Sequence, residues 1–349
     1  MKDLPEGVGE AEVRTALTAW GLAAASLTYA PVGFGDYHWV AAEPGSTGRW
    51  FVTVADLAHK RHCGDGPAAA FRGLRRAMET ARVLRDGRPA AAGPGGAEAE
   101  ERTAEPARDF VVAPLRAADG ETVRGIGERY AVSVFPFVDG DGGDFGDALP
   151  PHRRARVLEA LADLHRATPP AVTPVLSPDL PDRDRLARDL AETDRPWTGG
   201  PFSEPAGELL AAVAPRLSRL LEEFAHRAAE IGEWSDGFVV THGEPHPGNL
   251  LWRGERCMLV DWDTAGLAPP ERDLWLVGAD PDELAAYARA TGRRPDRTVM
   301  EFYRLRWALA DVAEFIRLFR SPHDRTPDTE VAWRGLTDTV DHLTRGEAF

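Results

Sequence analysis

The sequence predicts an α+β protein of two lobes, a small β-rich one followed by a larger, mainly helical one. Three observations carry this expectation. Aromatic and β-branched runs cluster in residues 1–138, helical periodicity dominates beyond Pro150, and a Pro- and Gly-bearing segment, Phe135-Pro136-Phe137-Val138-Asp139-Gly140, stands between them as a hinge. The expected lobes are therefore 1–138 and 139–349.

Each element follows from its residues. Residues 11–20 read as a short amphipathic helix. Residues 27–29, 37–42 and 50–54 read as strands, with Glu43-Pro44-Gly45-Ser46 as turn chemistry between the last two. Residues 67–85 have helical spacing, with Phe71, Leu74, Met78 and Leu84 apolar among Arg and Glu. Residues 86–108 are rich in Ala, Gly, Pro and Glu with little to bury, which predicts a flexible loop. Residues 110–115 and 130–138 read as two further strands. Beyond the hinge, helices are expected at 153–166, 209–231, 281–290 and 299–319, interrupted by short strands at 237–240 and 257–260.

Composition narrows the function. At 349 residues the chain suits two domains of ordinary size. Its two cysteines, Cys63 and Cys257, form no CxxC pair and no disulfide framework, which fits a reducing cytoplasm. The opening MKDLPEGVGE is acidic and carries Pro and Gly, unlike a signal peptide, and no stretch reaches the ~20 apolar residues of a membrane span. A net charge of −15 argues against nucleic acid or an anionic membrane as partner and is compatible with a cationic small substrate.

The chemistry concentrates in THGEPHPGNLLW, residues 241–252, and LVDWDTAG, residues 259–266. A strand ending at His242 runs into a loop carrying Glu244 and Asn249, and a turn at Arg253-Gly254 leads to a strand ending at Asp261 and Asp263. Hairpin-like geometry would bring Glu244, Asn249 and Asp261 together. Two carboxylates and an amide oxygen are the hard ligands Mg²⁺ prefers. Phosphoryl transfer needs such a metal site and a carboxylate to orient the acceptor hydroxyl and take its proton. No GxxxxGK[ST] is present, so a P-loop enzyme is excluded.

HGEPHPGN followed by VDWD resembles the aminoglycoside phosphotransferase family, small-molecule and antibiotic kinases related to protein kinases. The resemblance extends through the hinge, LADLH at residues 161–165 and Asp273-Leu274. It implies a bilobal protein-kinase-like fold, ATP or GTP as co-substrate with Mg²⁺, and an aminoglycoside-like antibiotic as acceptor. Asn249 and Asp261 match the metal ligands, Glu244 the catalytic Asp that acts as base and His242 a residue bracing the loop. Asp263 is either an aid to the metal or a surface acid. The hinge backbone at Phe135, Phe137 and Val138 would bind the nucleotide base, and Gly33 and Gly35 would belong to a turn covering the phosphates.

Two departures stand out. Glu244 replaces the family's Asp, one methylene longer. Thr53 occupies the strand position of the phosphate-binding lysine, so Lys60 or Arg61 would have to reach in from the loop, or the usual pairing of lysine with a helix acid, here Glu79, is absent. Acids at Asp182, Asp184, Glu192, Asp311 and Glu314 are candidates for binding a cationic substrate. Three other readings remain open: a metabolite kinase acting on choline, homoserine or fructosamine-like compounds; a nucleotide-binding pseudokinase; and a metal hydrolase using His242 and His246.

Overall fold

A computed structural model describes residues 1–22, 25–45, 47–87, 106–232 and 237–345. The chain divides into two compact units, one of Asp3–Leu176 with Phe238–Pro295, the other of Ser177–Gly237 with Asp296–Phe349. This division does not fall at the hinge, which lies within the first unit. The expected loop at 86–108 lies almost entirely outside the described residues.

The first unit opens with helix α1 (Glu10–Leu17) and an antiparallel sheet of β1 (Ser26–Ala30), β2 (Asp36–Ala42), β3 (Arg49–Asp56), β4 (Arg124–Ile126) and β5 (Tyr130–Pro136), in the order β1-β2-β3-β5-β4. Alternate residues Trp39, Val52, Val54, Val132 and Val134 are buried on a core shared with Val13 and Leu17 of α1. That is the two-residue period of a half-buried sheet. Helix α2 (Pro67–Asp86) buries Leu74, Ala77, Met78, Ala81 and Leu84. Its Gly73 lies so close to the Cys63 carbonyl that any Cβ there would clash, so the glycine lets the loop after β3 pack on the helix.

Past the hinge come β6 (Asp141–Gly142), α3 (Pro151–His165), β7 (Val239–Thr241), the hairpin of β8 (Leu250–Arg253) and β9 (Arg256–Leu259), β10 (Gly266–Ala268), α6 (Glu271–Val277) and α7 (Pro281–Thr291). The second unit is helical, with α4 (Arg183–Ala191), α5 (Ser203–Gly232), α8 (Arg297–Arg320) and α9 (Pro327–Arg345). Phe224 of α5 stacks on Phe302 of α8 at 4.9 Å. A sheet-rich N-terminal part followed by mainly helical chain is the fold class the sequence predicts.

Three expectations are corrected. Residues 110–115 form no strand: Val111 makes one bridge to Leu259, and the Leu115 N–H donates to Val134. The strand before His242 does not pair with the one before Asp261. It pairs with β10, while β9 pairs with β8 across the Gly254 turn. Helices α4, α6 and α9 are additional.

Candidate active site

The loop after β7 is fixed from three sides. Gly243 has φ 102°, and a side chain there would collide with the Arg272 guanidinium. Arg272 donates to the Thr241 hydroxyl at 2.8 Å and to the Thr264 carbonyl at 2.9 Å, tying the two motif segments together. Asp273, fully buried, accepts the N–H groups of His242 at 2.9 Å and Gly243 at 2.6 Å. Its other partner is His165 Nε2 at 3.0 Å, and His165 Nδ1 lies 2.7 Å from the Tyr287 hydroxyl. The LADLH and Asp273-Leu274 patterns are thus two parts of one buried network. Burial alone would raise the Asp273 carboxyl, but the His165 hydrogen bond and the neighbouring positive groups hold it below the usual range.

His242 is a brace. Its Nε2 donates to the Val260 carbonyl at 2.8 Å and its Nδ1 accepts the Glu244 N–H at 3.3 Å, which assigns the neutral ring. Burial lowers its pKa, in agreement. With both nitrogens engaged it has no lone pair for a metal, which removes the basis for an imidazole-ligated hydrolase. His246 is also neutral, its pKa lowered to about 4 by burial.

Glu244 is half-buried, and its carboxylate makes no hydrogen bond among the described residues. Burial and the charge of Asp263 push its pKa up. Asn249 Nδ2 donates to the Glu244 carbonyl at 3.0 Å, and the Asn249 carbonyl accepts the Val260 N–H at 3.1 Å. Asp261 follows directly, with φ 62°, a left-handed turn that ends the extended chain. Trp262 between the two acids is fully buried and lies edge-on to His242 at 4.7 Å.

The acids meet a third. Asp36, the first residue of β2, brings a carboxylate oxygen within 4.8 Å of those of Asp261 and Asp263. Lys60 sits among them, with Nζ 2.9 Å from Asp36 Oδ2 and 2.5 Å from Asp263 Oδ2. His62 Nε2 is 3.2 Å from that same Asp263 oxygen. Asp263 is 5% exposed and so is no surface acid. Burial would raise it, yet Lys60 and His62 hold it well below the usual carboxylate range. The excess negative charge falls on Asp261, an exposed residue whose carboxyl the enclosing site and the neighbouring Asp263 push above that range. Burial likewise raises Asp36 against the pull of Lys60. Burial opposes the charge on Lys60, but Asp263, Asp36 and Asp261 outweigh it and raise the ammonium's pKa. Three carboxylates with Asn249 nearby form an all-oxygen donor set suited to Mg²⁺ rather than to a softer ion. Asp36 Oδ1 is buried with no hydrogen-bond partner among the described residues, a lone pair still open to a cation.

Other expected residues lie elsewhere. Thr53 Oγ1 contacts His38 Nδ1 at 3.2 Å, so Thr53 supplies neither charge nor contact to the acids. Glu79 pairs with Arg116 at 2.6 Å, in keeping with the alternative that the usual pairing of a lysine with this helix acid is absent. Gly33 and Gly35 lie at φ 69° and 104° in the turn between β1 and β2, where Val32 and Phe34 are exposed. In the hinge, Phe135 is buried and the Phe137 N–H donates to Arg49 at 3.2 Å, while the Val138 N–H has no partner among the described residues. Among the substrate-binding candidates, Asp184, Glu192 and Glu314 already pair with Arg183, Arg195 and Arg317. Asp36, Arg272 and His62 were missed by sequence reasoning. Only Asp36 carried a signal, its place directly after Gly33-Phe34-Gly35.

A β-rich start, a braced His-Gly-Glu loop and an Asp-Trp-Asp segment in an oxygen-rich cluster define a protein-kinase-like phosphotransferase that acts on alcohol groups. The chain belongs to the phosphotransferase enzyme family, whose family model matches residues 70–305. It is 31% identical over 253 residues to Protein StrN of Streptomyces griseus, covering 70% of this chain and 76% of that protein. The crystal structure of spectinomycin phosphotransferase with ADP and spectinomycin superposes with a TM-score of 0.69 at 15% identity, over 99% of this chain and 100% of that one. Amicoumacin kinase in complex with AMP-PNP, Ca²⁺ and Ami superposes with a TM-score of 0.56 at 10% identity, over 98% and 95%. Among the described residues, no helix is long and apolar enough to cross a membrane.

Proposed function

We propose that this enzyme transfers the γ-phosphoryl group of ATP or GTP to a hydroxyl of a cationic, hydroxylated small molecule, aminoglycoside-like in its chemistry. The observation that carries the reading is Glu244: a half-buried carboxylate with no hydrogen bond among the described residues, close enough to Asp261 and Asp263 for their charges to act on it and on one another. Asn249 and Asp261, with Asp263 beside them, would hold Mg²⁺, which when bound neutralises charge on the phosphate oxygens. Glu244 would orient the acceptor hydroxyl and take its proton. His242, Arg272 and Asp273 would hold that loop rigid, and the Val138 N–H, which has no partner among the described residues, would be a hinge donor for the nucleotide base. In this reading the lobes meet at Val138. The spectinomycin and amicoumacin kinases of like fold support an antibiotic acceptor, and the net charge of −15 supports a cationic one.

The test is substrate-dependent release of ADP or GDP across a panel of hydroxylated antibiotics and of metabolites such as choline and homoserine. Nucleotide binding with no release for any acceptor would favour a pseudokinase. A neutral sugar outcompeting every cationic compound would overturn the substrate class.

Two further results are expected. Nucleotide affinity, measured by calorimetry, falls sharply in EDTA, because the acids would repel phosphate without a metal between them; equal affinity with and without Mg²⁺ would refute the metal site. The kcat/KM for the acceptor falls on the acid side with a midpoint above the usual glutamate range of about 4.3. The sign follows from the raised pKa of Glu244: a base works only when deprotonated, and raising its pKa moves the loss to higher pH. A profile flat down to pH 4.5 would count against Glu244.

A further inference from the structure

The chain contains two lysines, Lys2 and Lys60, among 41 basic residues. An arginine-rich sequence has placed one of them in a buried position, 7% exposed, between two carboxylates. A lysine there presents a compact point charge that a planar guanidinium does not reproduce. Its two partners belong to the two elements that would handle phosphate. Asp36 begins β2 directly after the Gly33–Gly35 turn, and Asp263 lies two residues past Asp261.

Resting on the kinase reading above, we propose that Lys60 is the phosphate-binding cation, shifted from the third strand to the loop after it, and that Asp36 is its positioning residue. The pair replaces a strand lysine and a helix acid, for Thr53 carries no charge and Glu79 is spent on Arg116. In the ligand-free protein the Lys60 ammonium neutralises the carboxylates that a divalent cation would use. When a metal nucleotide binds, Asp263 passes from Lys60 to the metal side, with His62 remaining on it, and Lys60 turns to the phosphates while keeping Asp36. A purely structural buried ion pair satisfies both carboxylate oxygens. Asp36 leaves Oδ1 without a partner among the described residues.

The competition gives two variants opposite signs. Lys60→Met removes the resident cation, so nucleotide affinity should fall roughly 10- to 100-fold, the worth of one charge-assisted hydrogen bond, while Mn²⁺ binds the nucleotide-free protein more tightly. Asp36→Asn removes an anion and leaves Lys60 to Asp263 alone, so nucleotide affinity should fall several-fold and Mn²⁺ affinity should fall as well. Asp36→Glu should recover part of both. Calorimetry with ATP and GTP, paramagnetic resonance of Mn²⁺ and thermal melts on the full chain read these quantities. A merely structural role would weaken Mn²⁺ binding in both variants, and that result overturns the proposal. So does unchanged nucleotide affinity in Lys60→Met. A wild-type protein that binds Mn²⁺ but neither nucleotide refutes the kinase reading, and the proposal with it. A wild type that binds both, with variants indistinguishable from it, refutes the proposal alone.

Discussion

Asp261→Asn should abolish phosphoryl transfer and leave the protein at least as stable as before. The two effects share one cause. Asp261 is itself exposed, but the enclosing site raises the pKa of its carboxyl and Asp263 crowds it, with Asp36 and Glu244 adding to the repulsion. A carboxyl whose pKa is raised by folding destabilises the folded state at neutral pH, where it must ionise against its surroundings. An amide removes that cost, keeps the shape and tolerates the φ of 62° better than most residues. A bound divalent cation reverses the balance, because it makes the Asp261 charge favourable. Such an ion contributes several kcal/mol of charge stabilisation in the transition state, and at about 1.4 kcal/mol per tenfold the rate should fall ~10³-fold or more. Steady-state kinetics at saturating Mg²⁺ and a thermal melt without ligand check both halves. A variant within tenfold of wild type would remove Asp261 from the metal site. A melt lowered by many degrees would show that the carboxylate is structural.

Glu244→Gln should lower kcat by ~10²- to 10⁴-fold with KM for the acceptor little changed, the usual contribution of a general base. Glutamine keeps the length and a hydrogen-bond acceptor for the hydroxyl but cannot take the proton. The Glu244 carboxylate has no hydrogen bond among the described residues, so little besides the chemistry should change. Glu244→Asp should cost less, since it keeps the carboxylate and only withdraws it. The loop cannot follow, because the Glu244 N–H is held by His242 and its carbonyl by Asn249. If the transition state is loose and positioning with metal charge supplies nearly all the catalysis, Gln will be almost as good as Glu. A Gln variant within a few-fold of wild type, with chemistry shown to limit the rate, would take the base role from Glu244.

The linear sequence determined whatever short-range chemistry dictates. The strands β1, β2, β3 and β5 announce themselves by β-branched and aromatic residues, and helices α2, α3, α7 and α8 by their apolar stripes. HGEPHPGN and VDWD could be read directly because their residues lie on one short loop and the segment beside it, so the pattern is contained in two short stretches of chain. Apolar content, however, reports burial and not pairing. Residues 111–114 are buried, yet 110–115 serve as a connection with isolated bonds rather than as the expected strand. Likewise β7 found β10 rather than β9, because residues 250–259 could close their own hairpin at Gly254.

The sequence offered Lys60 or Arg61 as the source of the site's positive charge, and only the tertiary structure decided between them and named the partners. Lys60 lies seven residues beyond the strand position where a lysine belongs, and its partners are Asp36 and Asp263, 24 residues before it and 203 residues after it. No periodicity or spacing links three such positions. They meet because Gly73 lets the loop after β3 pack on α2 and because a buried ammonium must find carboxylates to offset its lost hydration. Sequence patterns record what neighbours along the chain require of one another. A buried charge is settled by whatever the fold brings within a few ångströms, and that is a property of the folded chain alone.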